Sequence, residues 1–257
     1  MKLKIVASIE ARMSSTRLPG KVLMKTINGD SMLEFMVKRL KKSKYIHEII
    51  IATTINKADD PIVDLCEGLK IKYYRGSESD VLIRVLNAHV LTESNVIVEL
   101  TGDCPLIDVN LVDNIILKYL NNDFDYVSNS HIRSYPDGFD VQVFPFKLLK
   151  EISLLTDDPY DRENVSSFIY RSGKYSTYGF IADNDEFWPE LRVTLDDKGD
   201  YELINEIIFY FNSINKLNFS VKDVIIYLRN NIKLLELNKD ARVSTAPDQK
   251  IAKSPYE

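Results

Sequence analysis

Through roughly the first 120 residues, short apolar runs rich in β-branched residues alternate with segments of helical periodicity, and this rhythm constrains the fold more than any other feature. Leu3 to Ile9 reads as a buried strand, followed by a polar loop. Ser31 and Glu34 have capping-box spacing, and Leu33, Met36, Val37 and Leu40 recur on one helical face. The alternation continues with a strand from Glu48 to Thr53, a helix from Pro61 to Leu69 and a strand from Ile71 to Tyr74. A helix from Asp80 to Leu91, a strand from Val96 to Leu100 and a helix from Leu111 to Leu120 complete it. Strands interleaved with helices in this way predict an α/β fold with a mainly parallel sheet covered on both faces.

Past Tyr126 the rhythm changes. The runs VQVF (141–144), STYGFIA (176–182) and LRVTL (191–195) are spaced by longer polar segments and read as extra strands in the second half. Two helices follow, Tyr201 to Phe211 and Val221 to Asn230, the second behind a Ser220 cap. Residues 1–240 are expected to form a single domain. Residues 241–257 are short of large apolar side chains and read as a loose tail.

With 257 residues, 45% of them hydrophobic, the chain can fill a core, which excludes disorder as its main state. A net charge of -5 with dispersed Lys and Arg offers no general field for nucleic acid, so any anion site must be local. The cysteines, Cys66 and Cys104, fit neither a CxxC redox pair nor a zinc knuckle and are read as reduced thiols. The first apolar run, about five residues, is too short for a signal-peptide core. No stretch reaches the roughly 18 to 20 apolar residues that span a bilayer, so a cytoplasmic, membrane-free protein is expected. His47, His89 and His131 have no metal-ligand spacing, and no nucleophile–histidine arrangement is visible.

Ala11 to Lys21, ARMSSTRLPGK, leaves the first strand, where open α/β sheets bind ligands. Arg12, Arg17 and Lys21, with the hydroxyls of Ser14, Ser15 and Thr16, suit a polyphosphate. Neither a Walker A loop nor a GxGxxG fingerprint is present, and a solvated turn on Pro19–Gly20 is the competing reading. TGDCPLID, residues 101–108, leaves the strand at Val96 to Leu100, and a carboxylate at Asp103 can hold Mg²⁺ against phosphate oxygens. Gly102–Asp103 as a plain turn is the alternative, and Asp108 reads as a helix cap. Asp196 ends the LRVTL run.

The stretch SIEARMSSTRLPGKVL resembles the signature of the cytidylyltransferases that make CMP-activated sugar acids, the CMP-Kdo and CMP-sialate synthetases, and most of all their spore-coat-polysaccharide branch. RGSESDVLIRV, ELTGDCPLID, YPDGFDVQVF, DRENVSSFIY and LRVTLDDKGDYELI fall in the order of that family, so the similarity runs over roughly residues 3 to 212. The resemblance implies a Rossmann-like sheet of the nucleotidyltransferase and glycosyltransferase-A type. It implies CMP transfer from CTP to a sugar or sugar acid, with release of pyrophosphate, for surface polysaccharide synthesis.

By the same resemblance, Ala11, Arg12, Ser14, Ser15, Arg17 and Lys21 surround the nucleotide. Thr53 lies at the pyrimidine, and Ser77 and Arg84 at the ribose or phosphates, although Ser77 and Asp80 also open a helix. Arg12, Lys21 and Asp103 are the implied catalytic residues, with Mg²⁺ on Asp103 and Asp196. Relatives tend to have VDTPED where this chain has LDDKGD, which leaves Asp197 and Asp200 as rivals of Asp196, with Asp200 read instead as the cap of the last long helix. Asp140, Arg162 and Glu163 are expected to face the acceptor, with an exposed ion pair as the other reading of Arg162–Glu163. Thr54 and Gln142 stand where relatives often carry acidic residues, and Gln142 cannot act as a general base. A homodimer is left open. Two rival readings remain: a glycosyltransferase with its metal on Asp123 and Asp125, a form repeated at Asp183 and Asp185, and a silent nucleotide-binding subunit.

Overall fold

The computed structural model describes residues 3–240 and 249–253. Seven strands form the central sheet: β1 (Ile5–Glu10), β2 (Glu48–Thr54), β3 (Lys72–Gly76), β4 (Val96–Thr101), β5 (Tyr126–Ser128), β7 (Gln142–Pro145) and β8 (Thr177–Gly179). Their order is β3-β2-β1-β4-β7-β5-β8. The first four are parallel, with Ile9 opposite both Ile51 and Leu100. β7 runs antiparallel to both β4 and β5, and β8 is parallel to β5. β6 (Ile132–Arg133) and β9 (Lys250–Ile251) pair separately.

β1, β2 and β4 are buried on both faces, which explains their near-continuous apolar runs, whereas β3 at the edge is half-exposed. On one face Ile5, Ile9 and Val98 pack under α1 (Met32–Leu40), α4 (Val109–Leu120), α8 (Lys198–Ser213) and α9 (Val221–Asn230). On the other, Val6, Ile50 and Ile97 meet Leu82 and Val85 of α3 (Val81–Thr92) and Leu149 of α5 (Phe146–Ile152). The chain moves outward from β1 to β3, then returns to place β4 on the other side of β1. The carboxyl ends of β1 and β4, at Glu10 and Thr101, therefore flank the switch point where such sheets hold ligands.

Local signals set the helix starts. Ser31 and Glu34 complete both bonds of the capping box at α1. Pro61 sits in the first turn of α2 (Asp60–Leu69), and Asp80 caps α3 through the Ile83 amide at 3.0 Å. Asp108 accepts from Asn110 N at 2.9 Å and from Val221 N at 3.0 Å, so one buried carboxylate serves the starts of α4 and α9. Arg39 is buried and donates to the carbonyls of Ile107, at 2.8 Å, and Phe219, at 2.6 Å, clamping α1 to the same two elements.

The second half departs from expectation in four places. LRVTL (191–195) is not a sheet strand; Arg192 makes a single bridge with Asp137. All five side chains are buried, Arg192 and Thr194 included, while the backbone bonds loops, Val193 N to Asp137 O and Leu195 N to Asp103 O, both at 2.8 Å. STYGFIA contracts to β8. α5, α6 (Pro159–Glu163) and α7 (Ser167–Arg171) were not foreseen, because runs of five to seven residues are too short to display a helical period. Asp197, rather than Asp200, is the cap of α8; Asp200 is the third residue of that capping box. Of the expected loose tail, residues 241–248 and 254–257 lie outside the described residues, whereas Lys250–Ile251 pairs with β6.

Gly102 shows how tightly the β1–β4 crevice is drawn. Its amide donates to the Glu10 carbonyl at 2.9 Å, and a Cβ there would meet that same oxygen at 2.7 Å. Gly102→Ala should therefore push the strand ends apart and lower unfolding stability by about 1 to 3 kcal/mol. Urea titration of the variant checks this, and an unchanged midpoint would show that the loop has slack.

Candidate active site

The loop after β1 is tied down from within and from below. Ser15 N and Gly20 N both donate to the Met13 carbonyl at 2.9 Å, and Gly20 adopts φ 73°, in the left-handed region where a glycine costs least. Met13 N donates to Asp59 Oδ1 at 2.7 Å, while Asp59 Oδ2 accepts from the amide and hydroxyl of Thr54. Asp59 is buried, so one carboxylate fixes the first loop to the end of β2. Sequence reasoning passed over Asp59; its position just before a proline-started helix was the available signal.

So held, Ala11, Arg12, Ser14, Ser15, Arg17 and Lys21 line a recess of about 320 Å³, with Arg84 and Gly102 opposite. Arg12 and Arg17 reach toward solvent. Arg12 lies 3.6 Å from Glu78, a carboxylate that also takes the Ser14 hydroxyl, and Arg17 lies 3.1 Å from Asp196.

Lys21 reaches inward. Its Nζ is 2.8 Å from Asp196 Oδ1 and 3.3 Å from Asp103 Oδ2. Burial opposes the charges, but the pairing outweighs it: Asp103 is held below, and Lys21 above, its ordinary range. Two carboxylate oxygens that share one ammonium are also placed for one divalent cation. Mg²⁺ asks of a protein just one or two carboxylates, the rest being water and phosphate, so the donor set fits. Among the described residues, no group of three or more His, Cys, Asp or Glu converges as a metal site.

The identity of the second carboxylate is decided by what surrounds it. Asp200 is buried and accepts from the amides of Asp196 and Asp197, at 2.9 and 3.1 Å, and from Arg192 at 2.6 Å. Asp197 caps α8. Asp196 is left to face Lys21, steadied by Arg192 at 2.9 Å, a role for Arg192 that the sequence reading missed.

Beyond the carboxylate pair lies a second cavity of about 440 Å³. Asp103, Asp196, Glu163 and Asn164 line both spaces. Asp140 lines the larger one, gripped by Arg133 through two bonds of 3.1 and 2.9 Å. Gln142 Oε1 accepts from Tyr126 and Ser166 hydroxyls, each at 2.6 Å. Gln249, from the segment that carries β9, also borders it and donates to the Ser130 carbonyl at 2.9 Å. Glu10 and Glu99 adjoin one another here. Burial raises the Glu10 carboxyl to about 7, against the pull of Arg84, and burial with the Glu10 charge raises Glu99 well above its usual range. Asp137 is pushed up to about 7 by burial and by Asp140.

Other expected residues lie elsewhere. Thr53 is buried in β2 and lines neither space. Ser77 accepts from Asp80 N at 3.0 Å, as a cap. Arg84 borders the nucleotide-side recess, yet its NH1 donates to the carbonyls of Ser77 and Glu78. Arg162 is turned away from both cavities, donating to Asp80 and to Ser153 O at 2.9 Å, which ties α6 to α3 instead of forming a pair with Glu163. Asp123 and Asp125 border a shallow surface near Leu3 and Val96, at the amino end of β4 and so opposite Asp103. His89 is buried against Ser94, and burial takes it down to about 3.

A glycine-closed loop with two arginines, and a lysine held between a carboxylate after β4 and one in the turn before α8, has a counterpart among known proteins. The profile of the cytidylyltransferase family matches residues 6–207. The chain belongs to that family. It is accordingly a CTP-dependent nucleotidyltransferase. An uncharacterized protein of Methanocaldococcus jannaschii is 36% identical over 93% of this chain and 96% of its own length. The spore coat polysaccharide biosynthesis protein SpsF of Bacillus subtilis is 31% identical over 88% of this chain and 95% of its own. The 8-amino-3,8-dideoxy-manno-octulosonate cytidylyltransferase of Shewanella baltica is 26% identical over 66% of each. A solved cytidylyltransferase structure from Leptospira borgpetersenii superposes with a TM-score of 0.83, at 28% identity, covering 96% of this chain and all of that one. Among the described residues no helix is long and apolar enough to cross a membrane.

The Glu10 carboxyl allows a sign to be tested. Raised from 4.5 to about 7, it keeps a proton that the unfolded chain gives up, so it costs stability as pH rises through that window and costs nothing below it. Glu10→Gln should raise stability by about 1 to 3 kcal/mol at pH 8, and the gain should shrink toward pH 4.5. Thermal melts of both proteins across that range measure it; a gain independent of pH would mean that Glu10 is charged throughout.

Proposed function

We propose that the enzyme transfers CMP from CTP to a hydroxyl of a sugar or sugar acid, releasing pyrophosphate, and that the product feeds surface polysaccharide synthesis in the cytoplasm. The observation that carries this reading is Lys21 with Asp103 and Asp196 at the junction of two cavities, one rimmed by cations and the other by sugar-binding polar groups. The triphosphate occupies the recess under Arg12, Arg17 and Lys21. The acceptor occupies the larger cavity, beside Asp140 and Glu163. Its hydroxyl then faces the α-phosphorus across the shared wall and attacks in line, without a covalent enzyme intermediate.

Asp103 and Asp196 would hold Mg²⁺, which neutralises phosphate charge at the reacting centre. With a triphosphate present, the Lys21 ammonium moves its charge to the phosphates, as do the solvent-facing arginines, and so stabilises the departing pyrophosphate. Arg192 and Asp200 keep Asp196 oriented while Lys21 shifts. The names of the relatives support a CMP-sugar product: one is named for spore coat polysaccharide and another for an octulosonate acceptor.

Pyrophosphate release from each of the four nucleoside triphosphates, with a panel of sugars and sugar acids, tests the reading. Release is expected with CTP, dependent on Mg²⁺ and on the acceptor. Cleavage of a nucleotide-sugar with transfer to a second sugar, and no pyrophosphate, would overturn it in favour of a glycosyltransferase. Asp103→Asn and Asp196→Asn should each lower kcat by about a hundredfold or more with the fold intact by circular dichroism. Lys21→Ala should cost about 2 to 4 kcal/mol in kcat/KM, whereas a mere surface lysine would leave the kinetics unchanged.

A further inference from the structure

The larger cavity has one wall that comes from far along the chain. Its other described lining residues fall between Glu10 and Asp196, inside the stretch 6–207 that the family profile matches, and Gln249 lies outside that stretch. The nucleotide recess has no such addition among its described lining residues, which run from Glu10 to Asp196.

Gln249 is held in place by a short ladder. Lys250–Ile251 runs parallel to Ile132–Arg133, with Lys250 N donating to His131 O at 3.2 Å and Ala252 N to Arg133 O at 2.9 Å. Gln249 Nε2 donates to the next carbonyl back, Ser130 O, at 2.9 Å. The other side of that pair is fixed as well: Ile132 lies so close to Gly179 of β8 that a Cβ there would meet its Cδ1 at 2.8 Å. Ser130, His131 and Arg133 line the same cavity as Gln249. An amide tethered in this way is ordered before a ligand arrives, so little conformational entropy is left to lose on binding.

The chemistry of this wall suits a hydroxyl-rich ligand. A primary amide has two N–H donors and a carbonyl oxygen; Ser130 takes one donor, which leaves a donor and an acceptor on neighbouring atoms. Two adjacent sugar hydroxyls present the matching acceptor and donor. His131 beside the amide is neutral near pH 7, because burial and Lys250 take it down to about 4, and Arg133 is already paired with Asp140 and Asp137. The wall therefore recognises by hydrogen bonds instead of by charge.

We propose that Gln249 is a specificity-determining residue of the acceptor site, its amide binding a pair of neighbouring hydroxyls on the acceptor sugar. This rests on the cytidylyl-transfer reading above, which assigns the larger cavity to the acceptor.

Hydrogen exchange read by mass spectrometry on the full-length protein tests it, with CTP alone and with CTP plus glucose, mannose, galactose, their 2-acetamido forms, N-acetylneuraminate or 3-deoxy-manno-octulosonate. At least one of these probes should slow exchange in residues 130–133 and 249–253, and CTP alone should not. In Gln249→Ala the probe concentration for half protection should rise about five- to tenfold, as expected for one or two lost neutral hydrogen bonds, while the CTP concentration that protects residues 11–21 stays the same. Gln249→Glu, of the same size but without the N–H donors, should show the same split. Protection of neither segment by any probe overturns the proposal, as does an unchanged half-protection concentration in both variants. An equal loss for CTP and sugar overturns it too, since it would assign Gln249 to the fold alone. Pyrophosphate followed in the same samples separates the two claims. Release with an acceptor KM unchanged in both variants removes Gln249 and leaves cytidylyl transfer standing. A Gln249-dependent sugar with no pyrophosphate from CTP supports the sugar site and removes the transfer.

Discussion

The contact on which the site depends is the ammonium of Lys21 between Asp103 and Asp196. Three segments far apart in sequence meet there: the loop after β1, the loop after β4, and the turn before α8. Two carboxylates at this spacing would repel strongly in a partly buried setting, and a cation between them turns that cost into a fixed geometry. The cation need not be the same one throughout a reaction. In the proposed reaction a metal ion held by Asp103 and Asp196 would take the place of the lysine between them, leaving its ammonium for the triphosphate.

What keeps this centre in register is a set of buried acids with structural duties. Asp59 bonds the first loop to β2, Asp108 caps two helices, and Asp200 holds the turn that presents Asp196. Each accepts from backbone amides, which give the carboxylate a single orientation. Glu10 and Glu99 differ from these. Both sit on sheet strands, are pushed toward the neutral form chiefly by burial, and bond each other rather than the backbone.

The parallel half of the fold and the heart of the site were legible because both leave local traces. Two-sided burial writes continuous apolar runs, caps write Ser31–Glu34 and Asp80, and the loops after β1 and β4 carry Lys21 and Asp103. The second half leaves weaker traces. Residues 191–195 alternate like a strand in sequence, yet all five are buried and their backbone bonds loops, because the polar members, Arg192 and Thr194, find buried partners instead of solvent. Arg162 followed by Glu163 looks like a recognition pair, but the arginine is drawn to Asp80, a partner 82 positions away that no local pattern reveals. Arg133 and Arg192 were missed for the same reason: their partners are set by the tertiary fold.

The contrast between the two cavities then follows from topology. The nucleotide recess is built on one continuous loop whose sequence alone supplies Arg12, Arg17 and Lys21, so its chemistry is compact and readable. The larger cavity draws on β1, β4, β7, the segment around β6, α6, α7, the turn before α8 and the β9 segment, so no single stretch of sequence displays it. The two spaces are coupled where they meet: Glu10, Thr101, Asp103, Glu163, Asn164 and Asp196 line both. In the larger cavity burial pushes Glu10, Glu99 and Asp137 toward their neutral forms, so its lining offers hydrogen-bonding groups more than net charge.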